Sequence, residues 1–285
     1  MKKYRLLSDG TDKSKGLPNI NITNIIRLLV HVLPWIMTDG THGGSKGIGR
    51  AIAIKLSQSG YRVAATYNNS EKEAKDLEKE YENIKCFKLD VTARSQVRSI
   101  VKKIHTTMGT IYGIVNNAGM WHLFPVEEFD EEKYDMIMNT NVKGPIYTIL
   151  EALPDLKKNK GVIVNVASNA GIGTAAMNTT FYTMSKAAII MLTRRLALEF
   201  EPYEIRCNAI APGWVKTDLT IGGKNRDEIE DLERNFISKS TVKRVGRPED
   251  VAELAHYLIS EKSQFMNGQG LVIDGGRKDN LTHSI

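Results

Sequence analysis

The chain has 285 residues, enough for one large buried core, and its 41% hydrophobic and 25% charged residues are those of an ordinary globular domain. That composition excludes disordered, collagenous and disulfide-scaffold classes. The formal charge of +6 comes from lysines and arginines spread along the chain, which predicts a solvated surface that steers anionic ligands, with no nucleic-acid partner.

Residues 1–19 are polar and basic and read as a flexible tail. In Ile20 to Met37 the apolar positions Ile22, Ile25, Leu29, Leu33 and Ile36 recur at helical spacing, so a surface helix or an added strand is open. Arg27, His31 and Pro34 interrupt the run, which argues against a membrane span, and no small-residue cleavage site follows. The organisation expected is an extension over residues 1–35, a catalytic domain over 36–278 and a tail over 279–285.

Gly43-Gly-Ser-Lys-Gly-Ile-Gly49 precedes the helical run Arg50 to Leu56 and the strand Tyr61 to Thr66. Glycines there let the backbone turn tightly and approach a pyrophosphate, whose charge is met by amides opening the helix. A plain strand-to-helix turn is the rival reading. The next strand end, Thr66-Tyr-Asn-Asn-Ser70, has no carboxylate before Glu71 to bind ribose hydroxyls.

Ile84 to Leu89 reads as a strand ending at Asp90-Val91, Ser95 to Thr107 as a helix, and Ile111 to Val115 as a strand closing on Asn116-Asn-Ala-Gly119. The small residues of that tetrapeptide let backbone pass close to a ligand, and Asn117 can tie neighbouring strands. A helix is predicted from Glu131 towards Leu150. Cys86 and Cys207 lie in separate apolar runs, as buried strand residues, and no Cys/His cluster has metal spacing, so no metal and a reducing cytoplasm are expected.

Gly161 to Ala167 is an apolar run ending at Ser168, and Tyr182 and Lys186 then stand four positions apart at the opening of an amphipathic segment. On a helix they share a face, so the ammonium can reach the phenol and favour phenolate. A tyrosine tuned in this way exchanges a proton with a substrate oxygen, which Ser168 can also hydrogen-bond. Such a pair alone is a common coincidence on helices.

A helix over Ala187 to Phe200 and the strand Ile205 to Ile210 lead into Ala211-Pro-Gly-Trp-Val-Lys-Thr217. Leu219 to Ser240 is polar and opens on Gly222-Gly223, so a substrate lid and an exposed helix pair fit equally. Gly246 to Asp250 precedes another helix, and Leu271 to Asp274 is the last strand. The alternation predicts an α/β fold: one doubly wound parallel sheet with helices on both faces.

From about residue 43 to 276 the chain resembles the short-chain dehydrogenase/reductase family, especially its 3-oxoacyl-(acyl-carrier-protein) reductase and glucose dehydrogenase branch. Gly43, Gly47 and Gly49 match the family's glycine loop, with His42 replacing its usual threonine, and Asn116 to Gly119 matches the family tetrapeptide. Removing Asp39 to His42 would run Val32 to Thr38 straight into Gly43, as the family does. Either four residues are inserted or the N-terminal sequence is not the native one.

The resemblance implies a Rossmann fold and a catalytic set of Asn141, Ser168, Tyr182 and Lys186, with Asn139 a rival for the asparagine. Ser168 would polarise the carbonyl and Tyr182 protonate it. Lys186 would lower the Tyr182 pKa and hold the nicotinamide ribose, and Asn141 would hold a water that completes the proton route. Lys46 resembles the basic residue of NADP(H)-selective members, so NADP(H) is expected over NAD(H).

The implied cofactor contacts begin with Gly43, Ser45, Lys46, Gly47, Ile48, Gly49 and Asn68. They continue through Asp90 and Val91 at the adenine, Asn117, Ala118 and Gly119, and Tyr182 and Lys186. Pro212, Gly213, Val215 and Thr217 would lie at the nicotinamide. The implied activity interconverts a carbonyl and a secondary alcohol, with a 3-oxoacyl thioester as first substrate and a sugar or polyol as the alternative. A non-catalytic cofactor-binding protein is the reading from another class. A homotetramer or homodimer, paired through the helices carrying Asn141 and Tyr182, is the implied assembly.

Overall fold

Apolar runs such as Val162–Val166, rich in β-branched residues, form strands buried on both faces, as parallel sheets require. The computed structural model describes residues 35–39, 44–173 and 176–281. Its strands are β1 (Trp35–Asp39), β2 (Arg62–Tyr67), β3 (Ile84–Lys88), β4 (Ile111–Asn116), β5 (Val162–Val166), β6 (Arg206–Pro212) and β7 (Gly270–Ile273). They pair in parallel in the order β3-β2-β1-β4-β5-β6-β7. The order reverses between β1 and β4, which opens a crevice beyond the carboxyl ends of those strands.

Successive strand residues serve opposite faces. Val63, Val115 and Val164 pack with Ile52 and Leu56 of helix α1 (Gly47–Gln58), and with Leu258 and Ile259 of a helix at Pro248–Ile259. Their neighbours Ala64, Ile114 and Ile163 pack with Val97 and Ile104 of a helix at Arg94–Met108, and with Ile149 and Leu156 of one at Gly144–Asn159. The doubly wound sheet expected from the alternation is thus the fold.

Between these elements lie α2 (Glu71–Glu80) and α3, the Arg94–Met108 helix. The helix expected from Glu131 towards Leu150 is in three parts: α4 (Glu131–Met138), a π-helical turn at Asn139–Lys143, and α5, the Gly144–Asn159 helix. Helix α6 (Thr180–Glu199) starts earlier than the expected Ala187, so Tyr182 and Lys186 both lie in its first turns. The Leu219 to Ser240 segment forms the helix pair, α7 (Asp218–Ile221) and α8 (Arg226–Ser238), followed by α9, the Pro248–Ile259 helix, and α10 (Lys278–Leu281).

The first strand corrects two expectations. Trp35 to Met37 belong to the central strand, not to a surface helix, and the strand runs through Asp39, which pairs with Asn116. Asp39 is therefore part of the sheet and not a surplus residue ahead of the glycine loop. The tail, residues 20–34 including Pro34, and the Gly40 to Gly43 connection lie outside the described residues.

Candidate active site

The glycine loop ends against the second strand. Gly44 donates its amide to the Thr66 carbonyl at 3.1 Å, and a Cβ there would come within 2.9 Å of that oxygen. Gly47 has φ +52°, a conformation that glycine adopts without strain. Lys46 caps α1 in an extended conformation with no side-chain hydrogen bond to the helix, and the first turn holds no acidic residue. The first amides of α1 are therefore not met by its own cap, and their partial positive charge suits an anion.

Ser45 is buried, with Oγ 2.7 Å from Ser70 Oγ, and so ties the loop to the start of α2. Lys46 Nζ lies 2.8 Å from Glu73 Oε1, and this bond raises the lysine pKa and lowers that of the carboxyl. The search for an acid near the second strand end stopped at Glu71. Glu73 reaches the loop because it lies on α2, one step beyond what strand reading covers.

Ser168 follows β5 and caps the short turn Asn169–Gly171, its Oγ accepting from the Ala170 amide at 3.2 Å. A Cβ on Gly171 would stand 2.7 Å from backbone atoms of Lys186 and Ala187, so only glycine lets this turn lie against α6. That contact brings the Ser168 hydroxyl close enough to the Tyr182 phenol to act on its pKa. Trp121 meets the Tyr182 ring edge-on at 6.1 Å.

Burial pushes the Tyr182 phenol above its usual range, and the Ser168 hydrogen bond opposes the shift in part. The expected depression by Lys186 is thus corrected. The buried Lys186 ammonium donates to the Val166 carbonyl at 3.0 Å and sits 5.8 Å from the centre of the Tyr182 ring. At this site burial sets the direction of the Tyr182 shift.

Asn141, not Asn139, faces the site. Its Oδ1 accepts from the Met120 amide at 2.8 Å, and its Nδ2 donates to the Met120 carbonyl and to Ser185 Oγ, both at 2.9 Å. These bonds anchor the π-helical turn, a local irregularity that recurs at functional sites. A Cβ on Gly119 would lie 3.4 Å from Lys186 Nζ and 4.0 Å from Asn141 Oδ1, so glycine permits the convergence of the three.

A cleft of about 210 Å³ gathers Lys46, Gly47 and Ile48 after β1 on one side of the switch point. Asn117 and Gly119 after β4, with Ser168, Tyr182, Lys186, Pro212, Gly213, Val215 and Thr217, line the other side. Asp218, Leu219 and Thr220, at the start of α7, also line it and were missed, because a polar segment after a loop carries no motif. Gly49, Asn68, Asp90, Val91 and Ala118 do not line this cleft.

Asp90 Oδ1 instead accepts from the Thr92 amide and hydroxyl at 2.9 and 2.7 Å. Val91 is fully buried against Gly144, where a Cβ would come within 2.9 Å of Val91 Cγ2, so its side chain serves packing. A strand tie comes from Asn116, whose Nδ2 donates to Asn165 Oδ1 at 2.7 Å, and Asn165 donates on to Thr193 Oγ1 at 2.9 Å.

A second cavity of about 390 Å³ shares Ser168, Tyr182 and Gly213 with the cleft and is walled largely by apolar side chains. Among the described residues no group of His, Cys, Asp and Glu could hold a metal, and no helix is long and apolar enough to cross a membrane.

A crevice at the switch point, a glycine turn opening a helix, and two hydroxyls over a buried lysine define a nucleotide-binding α/β architecture with an acid-base centre. The family model described as enoyl-(acyl carrier protein) reductase matches residues 43–278. A 3-oxoacyl-(acyl-carrier-protein) reductase of Staphylococcus aureus is 30% identical over 241 residues, spanning 82% of this chain and 95% of that protein. Dehydrogenase/reductase SDR family member 6 of Aquarana catesbeiana is 35% identical over 235 residues, spanning 82% and 94%.

Among solved structures, ElxO with NADP bound superposes with a TM-score of 0.77 at 32% identity, covering 86% of this chain and 98% of that one. A blue fluorescent protein from a metagenomic library, in complex with NADPH, does so at 0.77 and 27% identity, covering 85% and 97%. The chain belongs to the short-chain dehydrogenase/reductase family of oxidoreductases.

Proposed function

We propose that the protein is an NADP(H)-dependent reductase of carbonyl compounds, working in the cytoplasm, with 3-oxoacyl thioesters as the first substrates to test. The observation that carries this reading is the Ser168–Tyr182 hydroxyl pair, placed where the glycine-loop cleft and the apolar cavity meet. A carbonyl oxygen between the hydroxyls would accept a hydrogen bond from Ser168 and a proton from Tyr182. The raised phenol pKa keeps that proton in place at neutral pH. Lys186 donates to the Val166 carbonyl with its Nζ 5.8 Å from the ring centre, and Asn141 fixes the Met120 backbone beside it. Trp121, Leu123, Trp214 and Leu219 in the cavity give an acyl chain apolar surface to bury against, which favours an acyl substrate over a polyol.

The loop residues fit a dinucleotide: the uncapped start of α1 meets a pyrophosphate, and glycines at 44, 47 and 119 leave room that a Cβ would fill. When bound, the nicotinamide supplies the hydride. NADP(H) is preferred in this reading because Lys46 and Arg50 border a surface hollow next to the loop, although Glu73, Asp76 and Asp218 line the same hollow. Each already has a carboxylate partner, Glu73 for Lys46 and Glu80 for Arg50, so a 2′-phosphate would have to exchange with them. Two similar solved structures hold NADP or NADPH. The roles of Asn141, Ser168, Tyr182 and Lys186, the catalytic span 36–278 and a homodimer or homotetramer belong to the same reading.

The test is consumption of NADPH, and of NADH in parallel, with acetoacetyl thioesters and aldoses as substrates. Thioester turnover faster with NADPH is expected. Turnover of aldoses alone would overturn the acyl assignment, and equal use of both nucleotides would overturn the cofactor preference.

A further inference from the structure

The cavity that shares Ser168 and Tyr182 with the cleft carries more charge than a purely apolar substrate would need. Near the hydroxyls its walls include Trp121, Leu123, Trp214 and Leu219, yet its charged lining is Lys224, Lys239 and Arg277, with no aspartate or glutamate. Two of these cations are held side by side by the backbone. Ser240 and Arg277 form an antiparallel bridge, and the Lys278 amide donates to the Lys239 carbonyl at 2.9 Å.

The Arg277 guanidinium lies 5.6 Å over the Phe236 ring, and its side chain is only 19% exposed. Asp279 engages its Nε, at 2.9 Å, and its Nη2, which leaves Nη1 outside that pair. Three cations against one carboxylate leave a surplus of two positive charges on this lining. An anion placed among them is attracted by all three.

We propose that this cavity takes a carbonyl substrate that ends in an anionic group, held by Arg277 and Lys239, with Lys224 adding to the attraction. The apolar wall holds the carbon chain between that anion and the carbonyl at Ser168 and Tyr182. The inference rests on the function proposed above for the carbonyl end only. The anion could be the carboxylate of an oxo acid or the phosphate of a pantetheine arm, since both offer the oxygens a guanidinium recognises.

Matched pairs test it: levulinate against methyl levulinate, and acetoacetyl-coenzyme A against the uncharged acetoacetyl N-acetylcysteamine thioester, each with NADPH. Quenching of Trp121 and Trp214 fluorescence gives binding without turnover. The anionic member of at least one pair should have a KM about tenfold or more lower than its neutral partner, and that pair identifies the source. Arg277→Gln and, separately, Lys239→Gln should shrink that ratio, while Arg277→Lys restores part of it. Equal KM values and equal quenching within both pairs would overturn the proposal. If no carbonyl is reduced, the function reading fails, and quenching by levulinate that is lost in Lys239→Gln still decides the anion site.

Discussion

At the scale of single residues the account turns on Tyr182. Burial raises its pKa, so the phenol stays protonated below that raised value and loses its proton as the pH climbs through it. Reduction should therefore hold through neutral pH and fall only on the alkaline side; a rate maximal at acidic pH and declining before neutrality would contradict this. Of the two cysteines expected to be buried strand residues, only Cys207 is. Cys207 is buried and Cys86 half-buried, and burial pushes both thiols up to about 12. The thiolate is the reactive form, so a thiol reagent at mildly alkaline pH should label neither in the native protein and both after denaturation.

At the scale of elements, the catalytic groups depend on two close approaches. Gly171 lets the turn after β5 touch α6, and the π-helical turn lets Asn141 grip Met120. Gly171→Ala places a methyl 2.7 Å from α6 backbone, which must push Ser168 away from Tyr182. We expect kcat to fall about tenfold or more, because a misplacement near 1 Å costs that much. Unchanged kcat would mean that Ser168 does not need its present position.

Sequence legibility also divides by element. Strands β2 to β7, the glycine loop and the pair Tyr182 and Lys186 were readable because a buried parallel strand is a plain apolar run and the helix pair a fixed spacing. The π turn at Asn139–Lys143 carries no signal in the spacing of apolar residues, since it is set by bonds from Asn141 to a loop about twenty positions away. The same limit hid Glu73 from the cofactor reading and hid the burial that raises the Tyr182 pKa. β1 was obscured by the mixed run that precedes it, whose apolar residues happen to fit helical spacing.

At the scale of the whole molecule, the sheet reversal puts both cavities at the carboxyl ends of the strands, and the opposite ends carry no predicted site residue. Large apolar side chains stay exposed on α5, which follows the Asn141 turn, and on α6, which carries Tyr182: Leu150 on the first and Met184, Met191 and Leu198 on the second. Such a surface suits pairing of identical chains. Light scattering at micromolar concentration should report a dimer or tetramer, and Leu150→Arg with Met191→Arg should shift it towards monomer. A monomeric wild type would remove the assembly from the account.

The central claim is proton donation by Tyr182 to a carbonyl in a cofactor-binding cleft. The most direct measurement is NADPH oxidation by an acetoacetyl thioester, comparing wild type with Tyr182→Phe and titrating NADPH into both by fluorescence. Equal NADPH binding and a loss of turnover of about 10²–10⁴-fold in the variant are expected. Turnover retained in Tyr182→Phe, or NADPH bound tightly by a wild type that reduces no carbonyl, would contradict it.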